Sequence, residues 1–169
     1  FAVIIDYAHD PTALQSLYET VRGIHQSGRL IVVLGAVGGG RDQAKRKPLG
    51  ELAGSYGDIV VVTNEDPYDD DPFQIMKQVE EGVVLARRMR GGAAHVFSET
   101  YFLVEDRREA IKKAFSLARA GDVVVISGKG AEETMAVKGG FISWSDRKAC
   151  KEILKKKRWK ILPKRPNYV

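Results

Sequence analysis

The sequence predicts an α/β fold, a Rossmann-like and mostly parallel sheet with helices on both faces and an antiparallel edge strand near the end. Three observations carry this. Short apolar runs rich in β-branched residues, Phe1 to Ile5, Leu30 to Leu34, Ile59 to Thr63 and Val123 to Ile126, read as strands buried on both faces. Amphipathic helical stretches separate them, so strand and helix alternate roughly every 25 to 35 residues. Several of these strands run into loops rich in Gly, Asp or Lys, and in a parallel sheet such loops all open on one edge.

The elements follow in order. After Phe1 to Ile5, the stretch Asp6-Tyr7-Ala8-His9-Asp10-Pro11 breaks the pattern. Pro11 suits the first turn of a helix whose Leu14, Leu17, Tyr18, Val21 and Ile24 recur at helical spacing, and Gly28 stops it. Leu30 to Leu34, uninterrupted by polar side chains, is the central strand. It runs into Gly35 and Gly38-Gly39-Gly40, followed at once by Arg41, Lys45, Arg46 and Lys47. Glycine lets the backbone approach a ligand closely, and the cations add positive charge at the ligand-binding edge. Local sequence is equally compatible with a tight turn and a solvated basic first turn.

Lys47 to Tyr56 is a short amphipathic helix, and Ile59 to Thr63 the next strand. Asn64 to Pro72 is a polar loop with two prolines and five acidic residues. The helix from Phe73 to about Arg90 places Met76, Val79, Val83 and Ala86 on one face, and Gly91-Gly92 ends it. His95 to Phe97 and Phe102 to Val104 are short strand candidates. Asp106 to Ala118 is a helix with Ala110, Ile111, Ala114, Phe115 and Ala118 inward. Val123 to Ile126 then runs into Ser127-Gly128-Lys129-Gly130-Ala131-Glu132. Gly139-Gly140 and the alternation from Phe141 to Trp144 predict a hairpin-like edge strand, and Ser145 an N-cap for the last helix.

Composition narrows the function classes. The 169 residues suffice for one domain with a real core. The lone Cys150 excludes an internal disulfide, three scattered histidines give no zinc spacing, and no metal ligands are expected. No apolar run approaches the roughly 20 residues of a membrane span, and no signal-peptide pattern is present. A reducing, cytoplasmic setting is the simplest inference. The net charge of +5 is uneven: residues 151–169 hold eight Lys or Arg against one Glu, leaving 19 basic and 21 acidic side chains before them. Neither a nucleic acid nor a membrane is therefore an expected partner. The chain opens inside a strand without a methionine, which reads as a cut.

Singly the motifs are weak. The glycine loop is neither G-x-x-x-x-G-K-[ST] nor G-x-G-x-x-G. Together, D-Y-A-H-x-P, G-G-x-R-D-x-x-K-R, T-x-x-D-P and S-G-K-G-x-E resemble the carboxyl-terminal domain of Mur ligases, most closely the type that makes UDP-MurNAc-tripeptide. That type adds a diamino acid to UDP-N-acetylmuramoyl-L-alanyl-D-glutamate. The resemblance spans residues 1–154 and leaves 155–169 as a basic tail.

The resemblance implies an ATP-dependent amide ligase of peptidoglycan precursor synthesis. A central domain outside this chain would hold the P-loop, the Mg2+ ligands and a carbamylated lysine. This domain would close over ATP and hold the incoming amino acid, with no catalytic residue of its own and no activity in isolation. Asp6, His9 and Lys129 would lie on the ATP side, Lys129 binding phosphate or stabilising its loop. Arg41 would fork onto the α-carboxylate, and Glu65, Asp66, Pro67, Tyr68, Gly128 and Glu132 would receive the rest of the amino acid.

Two departures stand out. Where diaminopimelate-specific members have D-N-P-R, this chain has Glu65-Asp66-Pro67-Tyr68. A distal carboxylate would meet a negative charge without its arginine, a loss of about 1.5 to 3 kcal/mol for the charged hydrogen bond alone. Asp66 with Glu132 suits an ammonium, so lysine or ornithine is expected over meso-diaminopimelate. Ala131 replaces the histidine of G-K-G-H-E. Two alternatives stay open: a related ligase of the folylpolyglutamate synthase kind, and an α/β binding module that has lost catalysis.

Overall fold

In the computed structural model, residues 1–40, 42–91 and 100–156 are described. Five strands, β1 (Ala2–Ile5), β2 (Leu30–Leu34), β3 (Ile59–Val62), β4 (Tyr101–Leu103) and β5 (Val123–Ile126), form one sheet in the order β1-β5-β2-β3-β4. Every pairing in it is parallel, and β2 is central as expected. The register pairs Ile5 and Val33 with Ile126, and Leu34 with Val62, so four strands end at nearly the same level. Their following loops therefore share one edge.

The period of two along β2 divides the core. Leu30, Val32 and Leu34 face α1 (Pro11–Ile24), α2 (Gln43–Tyr56) and α3 (Pro72–Gly91), where Leu14, Tyr18, Leu49, Met76 and Val79 are buried. Ile31 and Val33 face the other layer, α4 (Arg107–Leu117) and α5 (Asp146–Lys156), with Ile111, Phe115, Ala149 and Ile153. Asp10 caps α1 through Ala13 N at 3.0 Å, and Asp106 caps α4 through Glu109 N at 2.9 Å.

Three details differ from the sequence reading. Helix α2 starts at Gln43, four residues before Lys47, and runs through Pro48. The reason is tertiary: a Cβ added to Gly50 would stand 1.9 Å from the Val79 carbonyl oxygen, and one on Gly82 2.0 Å from that of Lys47. Helices α2 and α3 thus touch backbone to backbone, and that packing outweighs the proline. Strand β4 begins at Tyr101, one residue before the expected Phe102. The antiparallel strand is present as β7 (Gly140–Ser143), but its partner is β6 (Thr134–Val137), in a hairpin of its own beside the main sheet. The candidate strand at His95 to Phe97 and the tail beyond Lys156 lie outside the described residues.

Candidate functional site

The site lies where the loops after β2, β3 and β5 meet. The loop after β2 has no room for a side chain at Gly35 or Gly38. A Cβ on Gly38 would fall 2.0 Å from the Pro67 carbonyl oxygen, and Gly38 N donates to the Asp66 carbonyl at 2.9 Å. The glycine loop and the acidic loop are therefore in direct main-chain contact.

Of the four cations that follow, Arg41 lies outside the described residues. Lys45 pairs with Asp42 at 2.7 Å, and Lys47 is exposed. Arg46 is buried and donates to Gln78 Oε1 (2.6 Å), the Val37 carbonyl (2.9 Å) and Asp70 (3.1 Å). It fastens the glycine loop to the acidic loop and to α3.

The acidic loop turns its expected site residues in different directions. Glu65 is buried, its carboxylate beside Gly128, where a Cβ would lie 2.0 Å from Oε2. Burial pushes its pKa up to about 7, with Arg107 and Lys129 opposing and Asp66 and Asp146 adding to the rise. Asp66 adopts φ 39° and Tyr68 φ 52°, the left-handed region that few side chains enter. The Tyr68 ring packs on Gly39 and stands edge-on to Phe141, centroids 6.4 Å apart. Pro67 is buried against Gly38.

Lys129 is the centre of the third loop. Its buried ammonium donates to both Asp66 oxygens, at 2.9 and 2.7 Å, and pairs with Glu132. Burial alone would lower its pKa, but these two carboxylates outweigh that and hold the ammonium above its ordinary range. The structure thus brings Glu65, Asp66, Gly128, Lys129 and Glu132 together. It also fills the acidic pair, expected to receive a ligand's ammonium, with a lysine of the same chain.

Asp6 and His9 lie on the loop after β1, whose Tyr7 packs against Gly130 of the third loop. Asp6 accepts from Ala8 N at 2.9 Å, an Asx turn, while Asp10 rather than Asp6 caps α1. His9 is exposed, with Nδ1 3.0 Å from the Tyr7 carbonyl and its ring against Tyr7. An open cleft of about 540 Å3 adjoins this loop, lined among others by Asp6, Tyr7, Gly130, Ala131 and Arg147. Among the described residues, no group of three or more His, Cys, Asp or Glu side chains is arranged to hold a metal ion.

Sequence reasoning missed Arg107 and Asp146. Arg107 forks onto Asp146 with two 2.8 Å bonds, and also donates to the carbonyls of Ser127 (2.8 Å) and Asn64 (3.3 Å). It ties the β3 and β5 loops to the start of α5 from below. One signal was available: a cation in the first turn of a helix opposes the helix dipole and needs another reason to be there.

The family described as Mur ligase, glutamate ligase domain, matches residues 1–130. The chain belongs to this Mur ligase family. Among its relatives, the UDP-N-acetylmuramoyl-L-alanyl-D-glutamate–2,6-diaminopimelate ligase of Syntrophomonas wolfei is 41% identical over 157 residues, 93% of this chain and 30% of the relative. The UDP-N-acetylmuramyl-tripeptide synthetase of Borrelia garinii is 39% identical over 154 residues, 91% of this chain and 28% of the relative. A solved structure of a UDP-N-acetylmuramoyl-L-alanyl-D-glutamate–2,6-diaminopimelate ligase superposes with a TM-score of 0.79 at 30% identity, covering 93% of this chain and 30% of that one. The Mur ligase chain described here spans about 30% of the length of such relatives. No described helix is long and apolar enough to cross a membrane.

Proposed function

We propose that residues 1–154 form the carboxyl-terminal domain of an ATP-dependent ligase that adds a diamino acid to UDP-MurNAc-dipeptide, and that this domain holds the incoming amino acid. ATP, with Mg2+ held mainly by the central domain, would activate the dipeptide carboxylate as an acyl phosphate, which the amine attacks. Asp6 and His9 serve the ATP side when the domain closes, with Lys129 supporting its loop. Arg41 takes the α-carboxylate, and Glu65, Tyr68, Gly128 and Glu132 surround the side chain. The isolated domain has no ligase activity.

The observation that carries the reading is the meeting of the three loops at one sheet edge, where the motif residues pack against one another. Tyr68 decides the preferred substrate. Tyr68 brings no positive charge to a distal carboxylate where an arginine would, so lysine or ornithine is preferred over meso-diaminopimelate. A second reading, diaminopimelate itself, is favoured by the names of relatives 36 to 41% identical to this chain.

The test is amino-acid-dependent phosphate release by the full-length protein with ATP, Mg2+ and UDP-MurNAc-dipeptide. Turnover with lysine or ornithine, together with a gain on diaminopimelate in a Tyr68→Arg variant, supports the reading. Turnover with diaminopimelate alone favours the second. No turnover with any of the three refutes both.

A further inference from the structure

We infer that Asp66 is a positioning residue, which registers the three loops by holding the Lys129 ammonium and leaves Glu132 as the acid open to the incoming amino acid. This rests on the reading of the site as an amino-acid seat.

Each acceptor of Asp66 is already engaged. Oδ1 receives Ala136 N at 2.7 Å and Lys129 Nζ at 2.9 Å, and Oδ2 receives Nζ at 2.7 Å. Its main-chain carbonyl accepts from Gly38 N at 2.9 Å. One residue thereby joins the glycine loop, the Gly-Lys-Gly loop and strand β6. The left-handed backbone at φ 39° is what lets the carbonyl and the carboxylate reach these partners at once. Asp tolerates that conformation better than most residues.

Lys129 and Glu132 differ in access. The Lys129 side chain is 2% exposed and Asp66 17%, whereas Glu132 is 40% exposed. An ammonium arriving at Asp66 would have to break both bonds from the buried Lys129 ammonium at a carboxylate that is itself little exposed. One arriving at Glu132 shares a carboxylate that already faces solvent. Lys129 pairs with both carboxylates, so the three groups carry one net negative charge, and a ligand reaches it at the more exposed Glu132.

The distinction is measurable in the full-length protein. Its fastest diamino acid among lysine, ornithine and meso-diaminopimelate serves as substrate, and norleucine, which lacks the side-chain ammonium, as competitor. Asp66→Asn is expected to raise the KM of the diamino acid and the Ki of norleucine by the same factor, about tenfold. Glu132→Gln is expected to raise the KM and leave the norleucine Ki unchanged. An Asp66→Asn variant that weakens the diamino acid alone would make Asp66 a direct ligand and overturn the inference.

Thermal midpoints of Asp66→Asn, Lys129→Met and the double variant give a second readout without turnover. The double variant is expected to be no less stable than the worse single one, and additive losses would overturn the inference. If no diamino acid is turned over, the functional reading falls while these midpoints still decide the pairing.

Discussion

The guanidinium of Arg107 and the carboxylate of Asp146 meet in a two-pronged ion pair, 2.8 Å on each arm, with both side chains withdrawn from solvent. Trp144 Nε1 adds a third donor to Asp146 at 2.9 Å, and Arg107 reaches the Ser127 carbonyl at the root of the Gly128 loop. The pair is the floor beneath the loops after β3 and β5. Removing one partner leaves the other charge buried without its direct counter-charge.

Asp146→Ala is therefore expected to destabilise the fold by about 3 to 5 kcal/mol, read as a lowered urea midpoint. Arg108→Ala, which breaks an exposed pair with Glu152, is expected to cost under about 1 kcal/mol. Equal losses in the two variants would contradict the role given to Arg107 and Asp146.

Glycines give a prediction in both directions. Gly38→Ala sets a Cβ against the Pro67 carbonyl and pushes the glycine loop off the acidic loop. The expected loss is about 1 to 3 kcal/mol, with weakened amino-acid binding in the full-length protein. Gly23, in α1, has nothing within 4 Å of an added Cβ. Gly23→Ala is expected to raise the thermal midpoint, by a helix-propensity gain of up to about 1 kcal/mol.

Glu65 predicts a pH dependence. Its folded pKa, pushed by burial from 4.5 to about 7, lies above that of the unfolded chain. Between those values the folded state keeps a proton that the unfolded chain has released. Its contribution therefore favours folding at low pH and is lost as pH rises from about 4.5 to 7, by roughly 3 kcal/mol in all. Glu65→Gln should remove that slope from a series of urea midpoints, and an unchanged slope would assign it to other groups.

Much of this was legible in the sequence, for identifiable reasons. Strand β2 could be read because a run buried on both faces carries no polar interruption, and the common loop edge follows from parallel pairing. What was not legible depends on long-range partners. Lys129 looks like a cation for a ligand until Asp66, 63 residues earlier, is seen to hold it. Arg46 reads as part of a basic surface until Gln78 and Asp70 close around it. The passage of α2 through Pro48 is held by Gly50 and Gly82, whose meeting across two helices leaves no local signal. Strand β6 escaped because Thr134–Val137 is too short to stand out without its hairpin partner.

The most direct test of the amino-acid seat is a competition. The full-length protein is given ATP, Mg2+, UDP-MurNAc-dipeptide and equimolar lysine, ornithine and meso-diaminopimelate, and the nucleotide product is weighed by mass spectrometry. A tripeptide ending in lysine or ornithine is the predicted product, lost or weakened in Glu132→Gln. A diaminopimelate product, or a lysine product indifferent to Glu132→Gln, would contradict the assignment of Tyr68 and Glu132.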